Sequence, residues 1–157
     1  MAELTPAQTV GPFFHLGLDW PRPPVAPGAI TLRGQVLDGA GAAVPDALLE
    51  CWDGDAAASP QRVAVDGEGR FSLERLKPPA ARGAAPHLLL TIFARGLLQH
   101  LHTRVYFPED AALHAQDPVL KRVPPARRAT LLARRDGAAW CFDIHLQGVQ
   151  ETVFFDV

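Results

Sequence analysis

Proline and glycine are the residues that most restrict how this chain can fold. Fifteen prolines and 13 glycines are spread along its 157 residues. Proline breaks a helix interior and glycine weakens it, so few segments between them are long enough for a stable helix. One short helix is predicted over residues 109–115, where the acidic Glu109 and Asp110 suit the positive end of the helix dipole. The chain is therefore expected to be built mainly from β-strands.

The hydrophobic pattern between these residues has the period of β-strands. Residues 30–37 alternate in polarity before an Asp-Gly turn, and Asp-Gly-Glu-Gly at 66–69 leads into a second alternating run. Short strands separated by turns are typical of an antiparallel sandwich. We predict an all-β fold, an antiparallel β-sandwich with an extended N-terminal arm and at most a short helix. The predicted strands are 30–37, 47–52, 70–76, 87–93, 98–107, 129–134, 139–146 and 152–156.

The first 28 residues differ from the rest of the chain. The run Pro21-Arg22-Pro23-Pro24 excludes a helix there and favours extended backbone. We therefore divide the chain into an arm, residues 1–28, and one β-sandwich domain, residues 29–157. The arm would expose many apolar side chains if it were free, so it is predicted to dock on a partner subunit. Those side chains are Val10, Phe13, Phe14, Leu16, Leu18 and Trp20.

Charge and hydropathy exclude several classes of protein. The formal net charge is −2 at pH 7, so the chain has no basic field to attract nucleic acid or anionic lipid. No apolar run approaches the roughly 20 residues that cross a bilayer, and the first 18 residues do not have the pattern of a signal peptide. Cys51 and Cys141 lie in apolar runs and are interpreted as reduced thiols, although a disulfide between them is not excluded. The predicted location is the cytoplasm, with no nucleic acid and no membrane as partner.

Few side chains suggest chemistry of their own. His100 and His102 fall on one face of a predicted strand, a spacing compatible with a metal ion, but no third ligand supports them. We favour a polar surface or a subunit contact, and keep a small independent metalloenzyme as an alternative. Arg95 lies between two apolar strands, where its guanidinium needs a partner. That partner is either a structural carboxylate or the carboxylate of a ligand.

A second alternative is a ligand- or carbohydrate-binding β-sandwich module without catalysis. It would require Trp20, Trp52 and Trp140 to share one exposed face. Two of these tryptophans lie in strands that are predicted to be buried, which argues against such a surface.

Several segments together resemble the intradiol ring-cleaving dioxygenases. They cover nearly the whole chain: 5–15, 30–39, 49–52, 85–87, 92–96, 102–107, 142–144 and 151–156. The resemblance implies a β-sandwich enzyme of paired alpha and beta subunits. It also implies a ferric iron held by two tyrosines and two histidines of the beta subunit, with dioxygen inserted between two hydroxyl-bearing ring carbons. Anionic tyrosinate oxygens and imidazoles suit ferric iron.

This chain departs from that ligand set. Its single tyrosine, Tyr106, matches no ligand position of the family. The His-x-His pair of the family falls on His87-Leu88-Leu89, so leucine stands at the second position. Residues 52–58, where a tyrosine is expected, contain none. The resemblance is therefore to an alpha-type subunit, with no catalytic residue and no metal on this chain, and the chain alone is predicted to be inactive.

The resemblance still gives the alpha-type subunit a place beside the substrate. It implies that Thr9, Gly11, Pro12 and Arg95 line a pocket at the alpha–beta interface, occupied by a small aromatic substrate and O2. Glycine followed by proline lets a rigid backbone approach a flat ring, and a guanidinium attracts a carboxylate. The segment 53–85 is shorter than in other members, which is expected to widen the mouth of the pocket.

Overall fold

The computed structural model describes residues 4–18, 26–54 and 60–156. Within these residues, nine strands form two sheets that face each other. The strands are β1 (Ile30–Leu37), β2 (Leu48–Trp52), β3 (Gln61–Ala64), β4 (Arg70–Arg75), β5 (His87–Phe93), β6 (Leu101–Tyr106), β7 (Arg134–Asp136), β8 (Ala139–Cys141) and β9 (Ile144–His145). The predicted all-β sandwich is confirmed.

The first sheet has the order β4-β1-β8-β7, and β9 also pairs with β1. Strands β1 and β4 are antiparallel, whereas β8 and β9 run parallel to β1. Pairing in this sheet is therefore mixed, because the chain after β7 returns along β1 in the same direction. Between β8 and β9, Asp143 interrupts the ladder, and its Oδ1 accepts a hydrogen bond from the backbone N–H of Gln35 at 3.1 Å.

The second sheet has the order β3-β2-β5-β6 and is antiparallel throughout. Alternate residues of β5 are buried, so one face of this sheet packs on the first sheet and the other face remains partly open. Leu49, Leu90 and Val105 from this sheet meet Leu32 and Trp140 from the first. Burial of these apolar side chains is the main force that holds the two sheets together.

The C-terminal third contains less strand than the sequence predicts. The predicted strand at 129–134 is wrong: a 3-10 helix, Pro125–Leu131, occupies its first half, and β7 begins only at Arg134. Two consecutive prolines, Pro124 and Pro125, favour that helical start over a strand. The predicted strand at 152–156 is also wrong, since only an isolated bridge from Phe155 to His102 forms there.

Other boundaries shift in smaller ways. The predicted strand at 139–146 is divided into β8 and β9, and the one at 98–107 begins only at Leu101. The four-residue β3 was not predicted. The short helix at 109–115 is confirmed as a 3-10 turn, Pro108–Asp110, that continues into the α-helix α1, Ala111–His114. A further 3-10 helix spans Leu120–Arg122, and no helix in the described residues has the length and apolar character needed to cross a membrane.

The described part of the arm covers residues 4–18 and 26–28, in which a segment without regular secondary structure is followed by turns at 12–17. Three of its apolar side chains are largely exposed: Leu4 by 95%, Phe13 by 73% and Leu16 by 66%. Trp20 and the proline run at 21–24 lie outside the described residues. Docking of the arm on a partner stays a prediction, and the exposed side chains give the physical reason for it.

Candidate functional site

The arm meets the sandwich at the turn that follows β5. The backbone N–H of Gly96 donates a hydrogen bond to the Thr9 hydroxyl oxygen at 2.7 Å. Gly96 has a φ of +93°, a conformation that other residues rarely adopt, and Leu97 closes the turn by donating its N–H to the Ala94 carbonyl at 3.2 Å. Two segments that the sequence assigned to one pocket, the arm and the turn of Arg95, are therefore in contact.

Gly11 and Pro12 lie further along the arm, and neither has a recorded hydrogen bond to that turn. The Gly11 carbonyl accepts a hydrogen bond from Phe14 at 3.4 Å, which starts the turns of the arm. Nothing described lies within 4 Å of the place where a Cβ on Gly11 would stand. The structure thus brings Thr9 to the turn that carries Arg95 but leaves Gly11 facing open space, where another molecule has room to approach.

Arg95 has a structural partner in Asp46. Its Nε lies 3.1 Å from Oδ2 of Asp46, but that oxygen has no hydrogen bond of good geometry, so the attraction is mainly coulombic. The Asp46 side chain is 9% exposed and that of Arg95 is 58% exposed. Of the two partners left open by the sequence, the structural carboxylate is present. The guanidinium remains largely exposed, so the ion pair does not prevent it from also facing a ligand.

Sequence reasoning did not identify Asp46 as that partner. The signal available was weak: Asp46 is the acidic residue directly before an apolar strand, and a buried carboxylate needs a cation. The two residues are far apart in the sequence, so no local pattern indicates that they pair.

The family's His-x-His position lies on β5, which pairs with β6 in the second sheet. His87 pairs with Tyr106 across the two strands, and Leu89 pairs with Arg104. His87 Nδ1 lies 2.8 Å from the Ala85 carbonyl oxygen, and its ring lies against the Tyr106 ring with centroids 5.2 Å apart. Burial lowers the pKa of His87, which keeps its imidazole neutral at pH 7.

Tyr106 cannot readily supply a tyrosinate. The side chain is fully buried, and burial raises the pKa of its phenol to about 12. Its hydroxyl donates to Oδ1 of Asp117 at 3.3 Å. A neutral phenol that already serves a buried carboxylate is a poor ligand for a ferric ion.

These donors do not fit the iron of the intradiol dioxygenases. Leu89 offers no lone pair to a metal ion. His87 and Tyr106 are paired across β5 and β6, where their rings contact each other. Within residues 4–18, 26–54 and 60–156, no group of three or more His, Cys, Asp or Glu side chains is placed to hold a metal ion.

The two alternatives from the sequence gain no support. His100 and His102 lie with ring centroids 4.6 Å apart, and His102 Nδ1 is 3.1 Å from the Thr91 hydroxyl. Trp140 is only 3% exposed, so it cannot join a carbohydrate-binding surface, and Trp20 lies outside the described residues. Both cysteines are free, and Cys51 is buried.

Comparison with curated proteins decides the family. The chain is 42% identical to the protocatechuate 3,4-dioxygenase alpha chain of Burkholderia cepacia, over 98% of this chain and 97% of that one. It belongs to the family of protocatechuate 3,4-dioxygenase alpha chains. The alpha chain of Pseudomonas putida is 41% identical over 97% of this chain and 96% of its own length.

The beta chain of protocatechuate 3,4-dioxygenase is a more distant relative. That of Burkholderia cepacia is 30% identical over 78% of this chain and 66% of its own length. The alignments with the alpha chains extend over 192 positions, more than the 157 residues present here, so those alpha chains carry insertions relative to this one. No model of a protein family matches the sequence.

Solved structures agree on the fold. The dioxygenase domain of a dioxygenase carbohydrate-binding protein fusion from Streptomyces sp. SirexAA-E superposes with a TM-score of 0.63 at 23% identity, covering 94% of this chain and 100% of that one. Catechol 1,2-dioxygenase from Pseudomonas arvilla C-1 gives 0.59 at 22% identity, over 83% and 56%. The sandwich of this alpha chain is therefore the intradiol dioxygenase fold.

Proposed function

We propose that this chain is the non-iron-binding alpha subunit of a protocatechuate 3,4-dioxygenase. The assembled enzyme would cleave 3,4-dihydroxybenzoate with O2 to 3-carboxy-cis,cis-muconate, a step of aromatic catabolism in the beta-ketoadipate pathway. The observation that carries the proposal is the identity of 41–42% with two alpha chains over nearly the full length of each. The cytoplasm is the proposed location, in keeping with the two free cysteines.

The partner would be the protocatechuate 3,4-dioxygenase beta subunit, which would hold the ferric iron. The poor donor set around Leu89 and Tyr106 supports an iron site on another chain. The likeness to a beta chain supports a partner of similar fold. Ferric iron bound there would supply the Lewis acid for the reaction of the aromatic substrate with O2.

The contribution of this chain would be to line the substrate pocket at the alpha–beta interface. Arg95 projects an exposed guanidinium from the turn after β5, and it would attract the ring carboxylate of the substrate. Thr9 fastens the arm to the same turn, so the arm and Arg95 would face the partner as one surface. Gly11 and Pro12 would offer a flat backbone edge to the aromatic ring, since nothing described crowds Gly11.

Co-expression with a beta subunit tests the proposal. The purified complex is expected to carry stoichiometric iron and to consume O2 when protocatechuate is added. The chain expressed alone, treated with ferrous iron and air, is expected to do neither. A matched preparation of the beta subunit alone shows whether the alpha chain is needed. Turnover of protocatechuate by this chain alone, or a complex that binds iron through this chain, would contradict the proposal.

A further inference from the structure

A cavity of about 810 Å³ opens on the outer side of the second sheet. It is lined by Leu89 and Thr91 of β5, Arg104 of β6, Trp52 of β2 and Phe155. Ligand sites are commonly cavities of roughly 300–1,000 Å³ with mainly apolar walls and a few polar groups. This cavity has that size and character, and it lies at the family's second imidazole position, where this chain has Leu89.

Arg104 gives the cavity its main polar group. The residue is half-buried, and its guanidinium has two recorded contacts: Nη1 lies 3.4 Å from the Tyr106 hydroxyl, and Cζ lies 5.9 Å from the centre of the Phe155 ring. Among the side chains that the structure describes, no carboxylate forms an ion pair with it. A guanidinium is always charged and carries five donors, so one that no carboxylate neutralises can bind an anion that enters the cavity.

The carboxylates near the cavity do not meet this need. Glu50 lines it but is paired with Arg62, whose Nε lies 2.5 Å from its Oε1. Asp156 and Arg122 also line the cavity, and both residues are exposed. Among the described residues that line the cavity, Arg104 is therefore the partly buried charge that has no ion-pair partner.

We propose that this cavity binds a small aromatic carboxylate, with the carboxylate on Arg104 and the ring against Trp52, Leu89 and Phe155. A guanidinium forms charge-assisted bonds with a carboxylate, and the apolar walls gain from covering an aromatic face. The site goes beyond the proposed function, because it would bind an aromatic acid on the alpha subunit without iron and without turnover. Bound anion in this position would satisfy Arg104 and stabilise the pairing of β5 with β6.

The test is fluorine NMR with 4-fluorobenzoate, using the full chain in complex with its beta subunit. The wild-type complex is expected to show a bound resonance assigned to this cavity. Arg104→Met is expected to weaken that binding by about tenfold or more, because it removes the charge and keeps the length of the side chain. Leu89→Trp is expected to abolish it by filling the cavity. Arg70→Met, an exposed position on β4, is the matched control and should leave it unchanged.

Inorganic phosphate distinguishes a bare anion site from a site for an aromatic acid. Phosphate in excess should compete only weakly, since it gains nothing from the apolar walls. Absence of any bound resonance that weakens in Arg104→Met and disappears in Leu89→Trp would overturn the proposal, since a resonance from the interface pocket would persist in both variants. Equal binding of phosphate and 4-fluorobenzoate would also overturn it. If circular dichroism shows that Arg104→Met does not fold, the result with Leu89→Trp decides the test. None of these measurements requires ring cleavage, so a failure of the proposed function would be seen separately.

Discussion

Thr9 and Gly96 are joined by a 2.7 Å hydrogen bond although 87 positions separate them in the sequence. The bond links the N-terminal arm to the turn that carries Arg95. Two segments that resemble the substrate-lining parts of the intradiol dioxygenases are therefore neighbours within one subunit. The proposed role of the arm can therefore be tested by replacing the residue that makes this hydrogen bond.

Replacement of Thr9 by valine should release the arm from the turn. The substitution keeps the shape of the side chain but removes the acceptor of the Gly96 N–H, at a cost of about 1 kcal/mol. Hydrogen exchange of the Gly96 amide and proteolysis within the arm should both become faster. Thr9→Ser keeps the hydroxyl and serves as the control. Equal exchange rates in wild type and Thr9→Val would show that the bond does not hold the arm.

Replacement of Arg95 by methionine should raise the KM of the alpha–beta complex for protocatechuate by about tenfold, with a smaller change in kcat, because a charge that attracts the carboxylate is lost. The effect should be much weaker with catechol, which has no carboxylate. Steady-state O2 uptake measures both substrates. Equal losses with the two substrates would contradict a role in binding the carboxylate.

The same substitution also leaves Asp46 without its cation, which lowers the stability of the chain. A control is needed to separate this loss of stability from the change in KM. The double variant Arg95→Met with Asp46→Asn removes both charges and should restore the thermal stability lost by Arg95→Met alone. Its KM should remain high if Arg95 acts on the substrate. A KM that returns with stability would mean that Arg95 acts only through the fold.

Gly34→Ala should destabilise the sandwich by about 3 kcal/mol or more, because a Cβ there would overlap the carbonyl oxygen of Phe142 where β1 runs beside the C-terminal strands. Gly67→Ala is the matched control, since nothing lies within 4 Å of its added Cβ. Chemical denaturation of both variants measures the difference. Equal stability of the two would refute the close approach of β1 to Phe142.

The titration of Tyr106 can be read without interference, because it is the single tyrosine of the chain. Burial raises the pKa of its phenol to about 12, so absorbance of the phenolate should develop about two units above the ordinary value near 10. The neutral form is favoured in the folded chain. The stabilisation it gives is thus complete below about pH 10 and is lost as the pH rises towards 12.

Tyr106→Phe should remove this alkaline loss of stability, and it should cost about 1 kcal/mol at neutral pH because the bond to Asp117 is lost. Thermal unfolding of the isolated chain at a series of pH values measures both effects. A phenolate that forms near pH 10 in the folded chain would show that the ring is accessible to water.

The sequence was sufficient for features that depend on neighbouring residues. The turn at 66–69 forms as predicted, with Asp66 Oδ1 accepting the N–H groups of Glu68 and Arg70 at 2.9 and 2.8 Å. The alternation in β4 could be seen in the sequence because successive side chains of a strand point to opposite faces. The leucine at position 89 and the single tyrosine, which argue against iron on this chain, are likewise properties of the sequence alone.

Only the tertiary structure decided which distant segments meet. The parallel return of β8 and β9 along β1, the pairing of Arg95 with Asp46, and the cavity around Arg104 all join residues whose separation leaves no periodic signal. The strand predicted at 129–134 was wrong for a related reason, since Leu131 fills the small core beside Tyr106 from the end of a 3-10 helix. The local sequence pattern indicates which side chains need burial, but the packing of the whole chain determines what they are buried against.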